Sequence, residues 1–496
     1  MKKIIAIGAG VSGLASAIRL KTLGYDVEIY EKNDLVGGRM YQIEENGFKF
    51  DVGPTIVMMP ELYKEVFKDS GVNPDDYLDM ELLDPLYTVY FSDKTKLEVS
   101  SNLTKLISQL ETFSEEDAQG YLAYLSDVYK RYTLAKNEFL SKSYRKPTEF
   151  FNPSSISSLL KLKTLNSAYT SISSFVKNDK LRKALSFQTL YIGISPFSGP
   201  SIYTIIPMIE LLYGIWYIKG GMYSMAKAME KRFLELGGKI YLNQEVQEIV
   251  IEKGIAQGIV SNQVRITADI ILTNADFPWA VKNLIKDQKN KGIYIDQKID
   301  KMEYSSSAFI MYLGLDKKYP TNVHTLRFAD DFNKNINNLF EYKVPEDPSI
   351  YLYSPSQIDA SVAPAGKEII YVLVPVPSLH GKNISWTESF TSSYQNKILK
   401  MIESIPGFED IRSHIEVSKV FTPETFRDTF NLQEGATFGL KPTMKQSVYF
   451  RPQHTFKAVK NLYFTGSSTH PGAGVPIVLM SAKLAVNEIE KDHKSL

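Results

Sequence analysis

Glycines at positions 8, 10 and 13, set between two apolar runs, constrain this chain more than anything else in it. Lys3-Ile4-Ile5-Ala6-Ile7 reads as a buried parallel strand. The turn Gly8-Ala9-Gly10-Val11-Ser12-Gly13 follows, and Leu14 to Leu23 carries a helical pattern. Asp26-Val27-Glu28-Ile29-Tyr30 is a second strand with Glu31 at its carboxyl end. Strand, glycine turn, helix and strand in this order imply a βαβ unit shaped for a dinucleotide. Gly8 permits the tight turn, Gly10 lets backbone approach a pyrophosphate, and Gly13 lets the helix pack closely on the strand. The helix N-terminus supplies unpaired N–H groups and partial positive charge. Glu31 is spaced to accept hydrogen bonds from ribose hydroxyls.

The same residues invite a different interpretation. Met1-Lys2-Lys3, an apolar stretch and Leu14-Ala15-Ser16-Ala17 resemble a secretory signal with a small-residue cleavage site. Three glycines would break the apolar helix of such a signal, and Glu31 would be left without a purpose. Cleavage would also remove the first strand of the nucleotide fold.

A second segment selects among dinucleotides. Lys32-Asn33-Asp34-Leu35-Val36-Gly37-Gly38-Arg39-Met40 is followed by Gly47-Phe48-Lys49-Phe50-Asp51-Val52-Gly53-Pro54. A Gly-Gly-Arg followed by a D-x-G-P segment resembles the FAD-binding N-terminus of the amine oxidase and phytoene desaturase flavoproteins. In that group the Gly-Gly-Arg lies along the cofactor's phosphates and flavin end. Its glycines permit close backbone approach, and its Arg adds a charged donor to anionic oxygen. FAD is therefore favoured over NAD.

Composition excludes several classes. Lys and Arg number 57 against 56 for Asp and Glu, so no global field points to nucleic acid. Cysteine is absent, which removes disulfides, Cys-ligated iron–sulfur clusters, thiolate catalysis and Cys-based zinc sites. His324, His380, His414, His454, His470 and His493 are scattered without metal-ligand spacing, so no metal is expected. The profile agrees with a soluble intracellular enzyme, and 496 residues should divide into two or three domains. No uninterrupted apolar run reaches the length of a membrane span. Residues 202–218 come closest, interrupted by Pro207, Glu210 and Gly214. They read as a buried helix turning into a strand, and the same segment suits the wall of an apolar substrate tunnel.

Further along, Lys219 to Tyr223 is a turn opening a helix that runs to about Leu236. Lys239 to Leu242, Val246 to Val250 and Thr267 to Leu272 read as strands. Asn461 to Phe464 is a strand ending at Gly466, the residues from Ser467 to Pro476 form a loop, and Ile477 to Ile489 is a helix. Small residues beside that helix start let backbone approach a flat ring and its phosphate tail.

Across nearly the whole chain the sequence resembles the bacterial carotenoid desaturases. The resemblance rests on Gly53 to Pro60, Phe187 to Gly193, Ser201 to Tyr223 and Thr469 to Val478. It implies an α/β fold: a Rossmann-like FAD domain of the amine oxidase and phytoene desaturase type, with an interleaved α+β substrate domain. Residues 1–80, 220–300 and 455–490 are assigned to the FAD domain, and 81–219 and 301–454 to the substrate and membrane-contact domain. Cofactor contacts are expected at Gly8, Ala9, Gly10, Val11, Ser12, Gly13, Glu31, Lys32, Gly37, Gly38, Arg39, Gly53, Pro54, Val246, Gly466, Gly474, Val475 and Pro476. The implied reaction converts a colourless C30 polyisoprenoid hydrocarbon, dehydrosqualene (4,4'-diapophytoene), by successive desaturations to yellow 4,4'-diaponeurosporene. The implied location is cytoplasmic, peripheral on the inner face of the cell membrane, with quinone or O₂ as electron acceptor. A related carotenoid oxygenase, forming a terminal aldehyde, is the alternative. Glu210, Tyr191 and His470 are the candidates for a catalytic acid or base, each with a structural role as the competing explanation.

Overall fold

The computed structural model describes residues 2–162, 164–381 and 384–493. Its first layer is a five-stranded parallel sheet in the order Leu462–Phe464, Ile270–Thr273, Lys3–Ile7 (β1), Asp26–Tyr30 (β2) and Lys239–Tyr241. Four of the five residues of β1 and of β2 are buried, as expected of parallel strands covered on both faces.

The helix between them (α1) spans Val11–Thr22, so it begins three residues before the apolar periodicity does and contains Gly13. Ten consecutive residues of α1 are buried. Small side chains at Ser12, Gly13, Ala15, Ser16 and Ala17 allow this, because the sheet and the helices Tyr223–Glu235 and Val475–His493 all press against it. The strand expected at Thr267 to Leu272 is two strands: Val264–Thr267 closes a three-stranded antiparallel sheet, and Ile270–Thr273 enters the parallel one. Ala268 and Asp269 turn the chain between them.

The second lobe is built on a seven-stranded sheet in the order Ile415–Phe421, Ser307–Leu315, Glu368–Val376, Ile350–Tyr353, His324–Arg327, Tyr87–Tyr90 and Lys96–Val99. Its pairings are antiparallel except that between His324–Arg327 and Tyr87–Tyr90. All nine residues of Ser307–Leu315 are buried because both faces are covered. Phe309, Met311, Leu313 and Leu315 pack with the helix Glu388–Ile402. Ala308, Ile310 and Tyr312 face the opposite core, the two-residue alternation a strand imposes. That second core is roofed by a helical region including Glu115–Ala135, Asp179–Ser186 and Ile205–Tyr213.

Residues 202–218 are a 3-10 turn, the helix Ile205–Tyr213 and the short strand Trp216–Ile218, which pairs with Met80–Leu82. Among the described residues no helix is long and apolar enough to cross a membrane.

Candidate active site

The cradle begins at the carboxyl end of β1. The Gly8 amide donates to Tyr30 O (2.8 Å) and the Gly37 amide to Ala9 O (2.9 Å), so both glycine segments are tied together. Gly10 is the N-cap of α1 and no side chain caps that helix, leaving its first N–H groups directed outward. A Cβ on Gly10 would lie 2.5 Å from Asn274 Oδ1, and one on Gly13 would lie 2.3 Å from Gly8 O. Backbone closes the space at Gly13 and the movable Asn274 side chain closes it at Gly10, which fits a backbone surface meant for a pyrophosphate.

Glu31, 5% exposed, receives hydrogen bonds from the amides of Ala9 (2.7 Å) and Asn33 (2.9 Å). Burial raises its pKa while these amides oppose the shift. Gln244 N donates to Glu31 O (2.8 Å), which brings the buried Val246 to the same edge. Lys32 reaches across to the other lobe, where its ammonium donates to Asn431 Oδ1 (2.9 Å) and Asp428 O (3.2 Å).

The C-terminal loop closes against the cradle. Ser12 Oγ donates to Val478 O (2.9 Å) and also contacts Thr465 Oγ1, while Asn274 Nδ2 donates to Thr465 O (3.2 Å). Gly466 N donates to Ser481 Oγ (3.2 Å). Gly474 is exposed just before the helix Val475–His493, in which Pro476 is buried. The Arg39 guanidinium donates to Thr437 O and to Ser467 Oγ (2.8 Å), linking the Gly37-Gly38 turn to the same loop.

Gly53 and Pro54 sit where the lobes meet. The Tyr312 hydroxyl donates to Val52 O (2.8 Å) and the Tyr371 hydroxyl to Gly53 O (3.1 Å); Thr55 Oγ1 bonds Tyr351 Oη (2.6 Å). Asp51, two residues earlier, accepts from the amides of Met222 (2.8 Å) and Tyr223 (3.2 Å) and so caps the helix Tyr223–Glu235. Burial pushes the Asp51 carboxyl up to about 6.

Several residues that organise the site carry no local sequence signal. Asp276 is held by Ser468 Oγ and the Gln433 amide (3.2 Å) and attracts both Arg39 and Arg451. Arg451, 1% exposed, donates to the carbonyls of Thr469 (3.0 Å), Gln446 (3.1 Å), Leu440 (3.1 Å) and Ser467. It thereby sets the course of the closing loop.

The structure brings Glu210 and Tyr191 together and leaves His470 in another cluster. Glu210, 0% exposed on the helix Ile205–Tyr213, accepts from Gln188 Nε2 (3.1 Å), with the hydroxyls of Tyr191 and Tyr87 beside it. Burial pushes its carboxyl up to about 8. The His470 ring packs against Tyr144 (5.6 Å between centroids) and His454 (6.3 Å) under the closing loop. Burial pushes its pKa down to about 3.

A helix start free of side-chain caps, an acid at the end of β2 and a half-buried Arg at a second glycine turn match the donors and acceptors a flavin dinucleotide needs. The chain belongs to the flavin-containing amine oxidoreductase family, whose pattern it matches over residues 11–490. It is an FAD-dependent oxidoreductase. Its relatives include the 4,4'-diapophytoene desaturase (4,4'-diaponeurosporene-forming) of Staphylococcus haemolyticus, 45% identical over 497 residues and 99% of each chain. The enzyme of the same name from Staphylococcus aureus strain Newman is 45% identical over 499 residues, again 99% of each chain. The fold is also that of an oxidoreductase from Methanosarcina mazei, at 18% identity and a TM-score of 0.67, covering 98% of this chain and 100% of the other.

Proposed function

We propose that the protein desaturates 4,4'-diapophytoene stepwise to 4,4'-diaponeurosporene. The observation that carries this reading is 45% identity, end to end, to enzymes bearing that name. FAD, when bound, accepts the hydride that leaves a saturated carbon–carbon link. The protein's part is to bind, orient and keep dry. Glu31, the start of α1 and Arg39 would hold the dinucleotide. Tyr312 and Tyr371 fix the Val52–Gly53 backbone, and Tyr351 the Thr55 side chain, at the junction of the lobes. The substrate offers no polar handle, so selection falls to the shape of the apolar lobe under the helix Ile205–Tyr213.

A C30 hydrocarbon is nearly insoluble in water and must be drawn from lipid at the inner face of the cell membrane. Phe151 (52% exposed) and Phe450 (51%) support a peripheral lipid contact. Their ring centroids lie 6.1 Å apart, packed edge-to-face among Phe150 and Tyr449, with Lys146 and Lys445 nearby in the chain. Electrons leave to a quinone or O₂.

The test is expression in a host that makes only the colourless C30 precursor. A yellow hydrocarbon, lighter by two hydrogens per step and formed without O₂ when a quinone is supplied, is expected. A carbonyl-bearing product carrying ¹⁸O from labelled O₂ would replace the desaturase reading with the oxygenase one.

A further inference from the structure

Unpartnered buried polar atoms are rare in folded proteins and ask for an explanation. Five of them gather between the helix Ile205–Tyr213 and the strands that hold the Gly53–Thr55 segment. Glu210 Oε1, Gln188 Oε1, the hydroxyls of Tyr191 and Tyr353 and His324 Nε2 are all buried without a well-aligned hydrogen bond among the described residues, although the Tyr191 hydroxyl lies within hydrogen-bonding reach of the Glu210 carboxyl. Around them runs a graded set of proton-carrying groups. Gln188 Nε2 bridges Glu210 (3.1 Å) and Tyr87 Oη (3.0 Å). Tyr191 lies beside Glu210 and within electrostatic reach of Tyr351. Tyr351 Oη bonds both Thr55 Oγ1 (2.6 Å) and His324 Nδ1 (2.8 Å). A polar file thus leads from the backbone at the flavin end into the apolar lobe, where the proposed hydrocarbon substrate has no polar atom to meet it.

Resting on the desaturase reading, we propose that Glu210 is the terminal proton acceptor of the desaturation, with Tyr191 and Tyr351 passing the proton to it from the Gly53–Thr55 side. The step balances. One carbon gives up hydride, two electrons and a proton, to the bound flavin. The neighbouring C–H bond breaks, its electron pair becomes the new π bond, and its proton ends on the Glu210 carboxylate. The substrate is oxidised and the flavin reduced by two electrons, and Glu210 must lose its proton before the next turnover.

The surroundings suit an acid that is poised rather than permanently charged. The groups facing it are Gln188 and Tyr191 on one 3-10 segment, Tyr87 and Tyr351 on two strands, and Tyr121 and Tyr124 on the helix Glu115–Ala135. Arg131 approaches Tyr124 but is paired with Asp127 (3.0 Å). Tyrosines surround the carboxyl, and desolvation holds it near 8, so at pH 7 about one molecule in ten carries the carboxylate.

The experiment is the pH dependence of kcat in lipid-dispersed substrate for wild type, Glu210→Gln, Glu210→Asp and Tyr191→Phe, with flavin content and the infrared carbonyl band of a protonated carboxyl measured on each. The wild type should gain about tenfold in kcat between pH 7 and 9, while its protonated-carboxyl band fades over the same range. Glu210→Gln should keep its flavin, lose that band and fall at least about 100-fold in kcat without an acid limb; Glu210→Asp should restore part of both. Equal kcat and an unaltered limb in Glu210→Gln, or no titrating band in the wild type, overturns the proposal. Should Glu210→Gln lose its flavin, Tyr191→Phe decides: a shifted limb with KM unchanged supports the relay, and an unshifted one overturns it. A wild type that desaturates at no pH removes the functional reading itself, a result separate from these.

Discussion

Gly10 and Gly13 should fail differently when each is given a methyl group. At Gly10 the backbone is ordinary, with φ −69° and ψ 171°, so alanine brings no backbone strain. Its Cβ would sit 2.5 Å from Asn274 Oδ1, and Asn274 would have to swing away from Thr465 O. Losing that hydrogen bond costs about 0.5–1.5 kcal/mol, partly offset by about 0.4–1 kcal/mol from a stiffer unfolded chain. The apoprotein should therefore melt almost where the wild type does. Flavin affinity should nonetheless fall at least about 100-fold, or about 2.7 kcal/mol, because the methyl fills the approach to the pyrophosphate. At Gly13 the obstacle is backbone: the Cβ would lie 2.3 Å from Gly8 O. The helix must shift, at about 1–3 kcal/mol for overpacking, and both stability and flavin binding should drop. The assays are flavin released per purified chain, titration of apoprotein with FAD, and melting of the apoproteins. Wild-type FAD affinity in Gly10→Ala refutes the argument, and so does an apoprotein as destabilised as Gly13→Ala.

Three further outcomes can be measured. Glu31→Gln keeps one acceptor for the amides of Ala9 and Asn33 but removes the charge facing the ribose, so FAD titration should show a loss of about 1–3 kcal/mol; an unchanged Kd would remove Glu31 from the site. Phe151→Ser combined with Phe450→Ser should reduce sedimentation with anionic vesicles about tenfold or more, since each half-exposed ring contributes on the order of 1 kcal/mol on entering lipid; undiminished binding would place the lipid contact elsewhere. His324, His454 and His470 are pushed by burial to about 3, 4 and 3. Above pH 6.5 they are neutral folded and unfolded alike; as pH falls, the unfolded chain takes up protons that the fold refuses, and stability is lost from about 6.5 down to about 3. At pH 5 each should cost about 2 kcal/mol, but the buried carboxyls of Glu210, Glu368 and Asp51, held near 8, 7 and 6, are protonated in the fold first and stabilise it over the same range. The histidine contribution is therefore read as a difference: the denaturant midpoint of His470→Asn should gain on that of the wild type between pH 7 and pH 5. Midpoints that change in parallel in the two proteins would contradict this.

The cradle was legible because its determinants are local. Glycine spacing, an apolar strand before it and an acid after it all fall within the first 31 residues, and hydrogen bonding to near neighbours dictates what they become. The start of α1 was missed because Ser12 and Gly13, which separate Val11 from the apolar run, satisfy the helix ladder without contributing to the apolar stripe that periodicity detects. The seven-stranded sheet was opaque for a different reason. Tyr87–Tyr90 and His324–Arg327 are short runs that name no partner, and only the closed fold lays them side by side. Asp276 and Arg451 are single charges in unremarkable loops; their worth comes from meeting Arg39 and four backbone carbonyls across the fold.

The parallel sheet has a temporal consequence. Its edge strand Leu462–Phe464 and the helix Val475–His493 that covers α1 lie beyond almost the entire second lobe in the chain, yet they pair with Ile270–Thr273 and pack on the first helix. During synthesis the βαβ unit emerges early but must wait, one side uncovered, until the ribosome has delivered the whole seven-stranded sheet. Loop-closure entropy makes such distant pairing slow. Flavin uptake should therefore come late in the life of each molecule, after both lobes have closed on each other.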